Sequence, residues 1–195
     1  MPPRPVLFFP NTPDDTHCFQ AGLKMILKYF LPDKDYSMEE LDVLCAKKEG
    51  LYTWASQALL NLHAMGFDIV DIDTFDIDAF MRTGGEYLIK KYGAEMGNIQ
   101  VRNSDIVQEQ RIYGEYSKLG IHQQHLPTIT DIKHLLNEGY LACCNVNYYA
   151  LNGKEGYGGH FVVIYSYDTE GLFLHDPGLP PQPHRKVPYG VFVGV

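Results

Sequence analysis

The chain is short of basic charge, of cysteine and of long apolar runs, and each shortage removes a class of function. Lysine and arginine number 16 against 24 acidic residues, giving a formal charge of −8 at pH 7 and a pI near 5.4. No basic cluster interrupts that balance, so neither nucleic acid nor an anionic membrane is the expected partner. The N-terminal MPPRPVLFFPNTP holds one short apolar run bounded by prolines. Such a run is too short for a signal segment or a membrane helix, and a soluble, cytoplasmic protein is expected. The cysteines are Cys18, Cys45, Cys143 and Cys144, without the spacing of a disulfide framework or a metal knuckle. No cofactor is expected, and the sequence does not report an oligomeric state.

What is present is the composition of an ordinary globular domain: 195 residues, 45% hydrophobic and 21% charged. Apolar residues at Cys18, Ala21, Met25, Ile26, Tyr29 and Phe30 repeat at helical spacing, and Pro32 ends that helix. Ser37 and Glu40 have the spacing of a capping box for a second helix carrying Leu41, Leu44 and Cys45. A third helix is predicted over 53–65 with Gly66 as its stop, carrying Trp54, Ala58, Leu62 and Met65. Residues 67–73 alternate like a half-exposed strand, and helical segments are predicted near 77–92 and 104–118. Thr130 is the expected cap of a short helix over 131–137.

The last third is rich in β-branched and aromatic residues, with strands predicted over 140–147, 160–168, 171–176 and 186–193. Helices first and an antiparallel sheet last make an α+β fold. One domain over 1–195 is expected, with 67–126 as a possible helical insertion.

Cys18 stands at the first turn of an apolar helix, behind Asp14, Asp15 and Thr16 as cap candidates. A helix N-terminus favours a thiolate and leaves backbone N–H groups free to hold an oxyanion. Asn11 is the nearest upstream amide able to supply a second donor. A nucleophilic cysteine needs a base and a group to orient that base. His160 opens one strand and Asp176 closes the next. With a two-residue turn pairing Asp168 and Gly171, the two side chains point to opposite faces. With a three-residue loop, or an equivalent bulge, Asp176 lies opposite Val162 and His160 becomes its diagonal neighbour on one face.

These segments, Asn11-Thr-Pro-Asp-Asp-Thr-His-Cys18, Gly159-His160-Phe-Val-Val-Ile and His175-Asp176-Pro177-Gly178, resemble papain-like cysteine peptidases. The nearest likeness is to the bacteriocin leader-processing (double-glycine) peptidases. The resemblance covers about forty residues in two blocks. It implies a helical layer carrying the cysteine packed on an antiparallel sheet carrying histidine and aspartate. It further implies Cys18 as nucleophile, His160 as general base and Asp176 as the residue orienting it, in a thiol protease or related hydrolase. The family's oxyanion glutamine is matched here by the shorter Asn11, and Phe19-Gln20 replaces the small residues that follow the cysteine.

The expected substrate is a peptide or small amide, with Phe19, Gln20 and Gly159 as further candidates for touching it. The contrasting expectation is a catalytically silent module of the same fold that binds a peptide or protein partner, its cleft occupied by Phe19 and the middle segment, roughly 67–126. His17 is read as an exposed residue before the helix rather than a second base, and His175 as structural. His122 and His125 have no third metal ligand near them in sequence, and Asp68, Asp71, Asp73 and Asp76 read as a solvated strand face, so no metal is expected.

Overall fold

In chain order, the computed structural model, which describes residues 4–192, consists of α1 (Cys18–Phe30), α2 (Met38–Leu44), α3 (Ser56–Ala64), β1 (Asp71–Asp73), α4 (Ile77–Thr83), α5 (Gly85–Arg102), α6 (Ile106–Tyr116), β2 (His122–Gln124), α7 (Ile129–Asn137), β3 (Ala142–Asn147), α8 (Tyr148–Leu151), β4 (Gly159–Tyr167), β5 (Gly171–Asp176), β6 (Gln182–Pro188) and α9 (Tyr189–Phe192). This is an α+β chain with a helical N-terminal part and a C-terminal four-stranded antiparallel sheet in the order β3-β4-β5-β6. Two compact units divide it, one made of residues 1–41 and 128–195 and the other of 42–127. The stretch 67–126 lies inside the second.

In the first unit the sheet is covered on both faces. Strand alternation sends Val162, Ile164, Leu172, Leu174 and Val187 to one side, where they form a core with Ile132, Leu151 and Phe192. Val163 faces the other way, into a cluster with Val6, Met25 and Tyr29, so α1 lies on that face. Gly22 lets the helix approach: a Cβ there would stand 3.2 Å from Val163 Cγ2. Cys143 lies by Gly22 while Cys144 packs on the opposite core, where burial pushes its thiol up to about 12.

The second unit is built on rings. Trp54 stacks on Phe80, Phe75 stacks on Tyr113, and Tyr87 closes the group edge-on. Trp54 Nε1 also donates to Ser104 Oγ at 2.9 Å, which satisfies the indole's polar end. Strand β1 is short and pairs parallel with β2, Asp71 against His122 and Asp73 against Gln124.

Local chemistry moves several predicted boundaries. The capping box Ser37–Glu40 forms, with Ser37 N donating to Glu40 and Glu40 N to Ser37 Oγ. The cap of α7 is Thr128, not Thr130: its hydroxyl accepts from Asp131 N and Asp131 accepts from Thr128 N, a complete box two residues earlier. The third helix starts at Ser56 rather than 53, because Trp54 is taken by the ring cluster. Gly93 (φ 81°) breaks α5 into two pieces, and Gly97 lies so near Ile89 that a Cβ would fall 2.3 Å from its Cα. The last predicted strand ends at Pro188, where the chain turns into α9; its position 193 lies outside the described residues. Among the described residues no helix is long and apolar enough to cross a membrane.

Candidate functional site

The turn between β4 and β5 decides whether His160 can meet Asp176, and it takes the two-residue form: Asp168 N donates to Gly171 O at 3.0 Å. Alone that register would part the two side chains. A bulge at Tyr165 corrects it. Pairing runs Tyr167↔Leu172 and Ser166↔Phe173, then jumps to Ile164↔Leu174 and Val163↔His175. Continued one residue, this sets Asp176 against Val162, with His160 diagonal to it on the same face. His160 Nε2 and Asp176 Oδ1 lie 2.7 Å apart, both buried. Gly178 N donates to the same oxygen at 3.0 Å.

Nε2 is therefore engaged by Asp176, and Nδ1 is the ring's other nitrogen. Burial pulls the imidazole's pKa down, but the hydrogen bond to Asp176, together with the bond to and charge of Cys18, outweighs it and pushes His160 up to about 9. Asp176 shows the complement. Burial would raise it, yet the bond and charge of His160, the Gly178 N–H and Arg185 hold the carboxyl below its ordinary range. The rings of Tyr148 and His160 meet nearly perpendicular, with centroids 5.6 Å apart. Tyr148 belongs to α8, which Asn147 caps. The Asn147 side chain accepts from Tyr149 N and Gly158 N and donates to Gly156 O, so it also shapes the loop before His160.

Cys18 is half-buried at the first residue of α1, whose cap residue is His17. Asp14, Asp15 and Thr16 do not cap the helix. They belong to a loop network in which Thr12 and Thr16 hydroxyls bond Asp14, and Asp15 takes a left-handed φ of 59°. Asn11 organises that loop. Its Oδ1 accepts from His17 N at 2.8 Å and Thr12 N at 2.9 Å, and its Nδ2 donates to Asp15 at 2.7 Å. One of the two amide N–H bonds is thus committed. The other sequence-predicted residues separate by burial. Phe19, 6% exposed, packs on Phe161 with centroids 4.7 Å apart, and Gln20 is fully buried. Neither presents a surface to substrate, because the first turn of α1 lies against the sheet. Gly159 is exposed beside His160.

His175 lies opposite in role to Asp176, as its alternate position requires. Its Nε2 donates to Val6 O at 2.9 Å and its Nδ1 accepts from His184 N at 3.1 Å. His17 is not exposed: its side chain is 13% accessible, because its ring is tied to the Thr12 and Thr16 hydroxyls at 2.8 Å each.

Sequence reasoning missed Arg185. Its guanidinium donates to Asp176 Oδ2 at 2.9 Å, to Asn152 Oδ1 at 3.1 Å and to Leu151 O at 2.6 Å. In β6 it pairs with Leu174, two residues from Asp176, but that strand's register shifts and no sequence spacing announces the contact. No third ligand stands near His122 in sequence, but the fold brings Asp71 and Asp73 to it. Their potential ligand atoms lie within 4.8 Å of one another. That trio is already hydrogen-bonded, His122 to Asp73 at 2.8 Å and Asp71 to the Tyr116 hydroxyl.

No protein-family model, no curated protein and no solved structure matches the chain.

Proposed function

We propose that the chain is a papain-type cysteine hydrolase acting on an amide or peptide bond. The observation that carries this reading is the His160 imidazole, bonded to Asp176 through Nε2 at 2.7 Å and raised in pKa by both Asp176 and Cys18. Such an imidazole is a base that holds a proton taken from sulfur. Cys18 Sγ attacks the carbonyl carbon while His160 keeps the thiol proton. The Cys18 backbone N–H, at the helix start, and the second N–H of Asn11 hold the oxyanion. The tetrahedral species collapses as His160 passes its proton to the departing amine, leaving a thioester. Water, deprotonated by the same imidazole, then releases the acid and restores the thiol. Asp176 keeps the ring oriented throughout.

The four free cysteines suit a reducing, cytoplasmic setting, and the substrate is a peptide or small amide. The silent-module alternative places Phe19 and the middle segment in the cleft; of these, Phe19 packs on Phe161 and is 6% exposed, which favours the hydrolase reading.

The test is the pH dependence of Cys18 alkylation by iodoacetamide, in the native protein and in His160→Ala. Reaction at pH 6 that disappears in the variant supports the thiolate–imidazolium pair and justifies a peptide and amide substrate screen. Equal inertness of both proteins at pH 6, with reaction only above pH ~8, overturns it.

A further inference from the structure

Asp176 is a buried anion, only 1% exposed, and both of its oxygens are occupied. Oδ1 serves His160 and Gly178, and Oδ2 serves Arg185 alone among the described contacts. The Arg185 side chain is itself 16% exposed. Its second branch reaches Leu151 O, and the first also reaches Asn152, the end of α8. The beginning of α8 is Tyr148, whose ring packs perpendicular to that of His160. The imidazole is thus held by Asp176 and by Tyr148, and one guanidinium fixes the far end of both supports. A planar fork suits this task, since it bonds two partners in fixed directions where an ammonium cannot.

We infer that Arg185 is the positioning residue of this site, locking the Asp176 carboxylate and α8 together behind the His160 imidazole. The inference rests on the reading of Cys18, His160 and Asp176 given above. Without Arg185, Oδ2 becomes a buried acceptor with no partner and the carboxylate loses an opposing charge. It then rotates toward another donor or takes up a proton, and in either case serves His160 less well. The titratable and charged groups facing the ring are Cys18, Asp176 and Tyr148, with Arg185 behind Asp176.

The experiment is an NMR titration of His160, assigned by its loss in His160→Ala, in the native protein, Arg185→Met and Arg185→Lys. Circular dichroism checks the fold, and Cys18 alkylation is followed in parallel. The expected result is a His160 titration moved down by about one pH unit or more in Arg185→Met, with Arg185→Lys between. A residue serving only packing lowers the melting temperature and leaves that titration in place, so an unchanged or upward-moved His160 in a folded Arg185→Met overturns the inference. Should Arg185→Met not fold, Arg185→Lys carries the comparison. Unfolding of both also overturns it, because Arg185 then supports the fold at large. The two readings fail separately. A shifted His160 beside an inert native Cys18 sinks the hydrolase reading alone. A reactive Cys18 beside an unmoved His160 sinks only the role of Arg185.

Discussion

Asn11 donates its backbone N–H to the carbonyl of Pro177 at 2.8 Å, tying the loop before the cysteine helix to the residue that follows Asp176. The two ends of the candidate site, far apart in sequence, are therefore in register through the backbone. The Asn11 side chain meanwhile satisfies the N–H groups of Thr12 and His17.

Asn11→Ala should cost about 1–3 kcal/mol of stability, because it strands two donors beside a buried position. It should also slow Cys18 alkylation at pH 6, since His17 is the cap of α1. Urea melts and the alkylation rate check the two effects. A variant as stable as the native chain rules out the organising role.

A side chain at Gly178 would press on the His160–Asp176 pair. A Cβ there would lie 3.0 Å from Asp176 Oδ1 and 3.1 Å from His160 Nε2. Gly178→Ala should push the pair apart and reduce Cys18 alkylation at pH 6 by roughly 10–100-fold, with the fold intact. An unchanged rate would show that the pair moves freely around the new methyl.

Stability should fall on both sides of neutrality. His160, raised from 6.5 to about 9, contributes fully below pH 6.5, and its contribution is lost as pH rises through 9. The loss is on the order of 3 kcal/mol and should vanish in His160→Gln. His175 is displaced the other way: burial holds its imidazole below the ordinary value, against the bond to Val6. Its contribution is full above pH 6.5 and declines as pH falls below that. Denaturant melts from pH 5 to 10 check both slopes.

Glu109 stabilises nothing by its charge. Burial pushes its carboxyl up from 4.5 to about 7, although the Ser56 hydroxyl donates to it at 3.0 Å. A raised carboxyl contributes stability below pH 4.5 and loses it as pH rises through 7. Glu109→Gln should therefore stabilise the chain at pH 8 by about 1–3 kcal/mol and give no gain at pH 4. Fluorescence of Trp54, the only tryptophan, follows the melt.

The sequence made the helix of Cys18 legible to the residue, because its apolar spacing and Pro32 act locally. The strands around His160 and Asp176 were legible for the same reason. The bulge at Tyr165 was not, since Asp168-Thr169-Glu170-Gly171 favours a tight turn and only packing on both faces of β4 selects the corrected register. The roles of Asn11 and Phe19 were hidden by rotamer choice: the same residues at the same spacing suit a cleft or an interior. Arg185 and the Asp71–Asp73–His122 trio depend on partners set by strand pairing, which no local pattern records.

Val6 belongs to no helix or strand, yet its carbonyl is what the buried His175 ring bonds, and its side chain is 4% exposed. A shortened chain that begins after Val6 would leave an imidazole N–H without its acceptor inside the sheet, and any fusion or trimmed variant inherits that constraint. The place to attach a tag or cut the chain is upstream of Val6, however dispensable that extended segment looks.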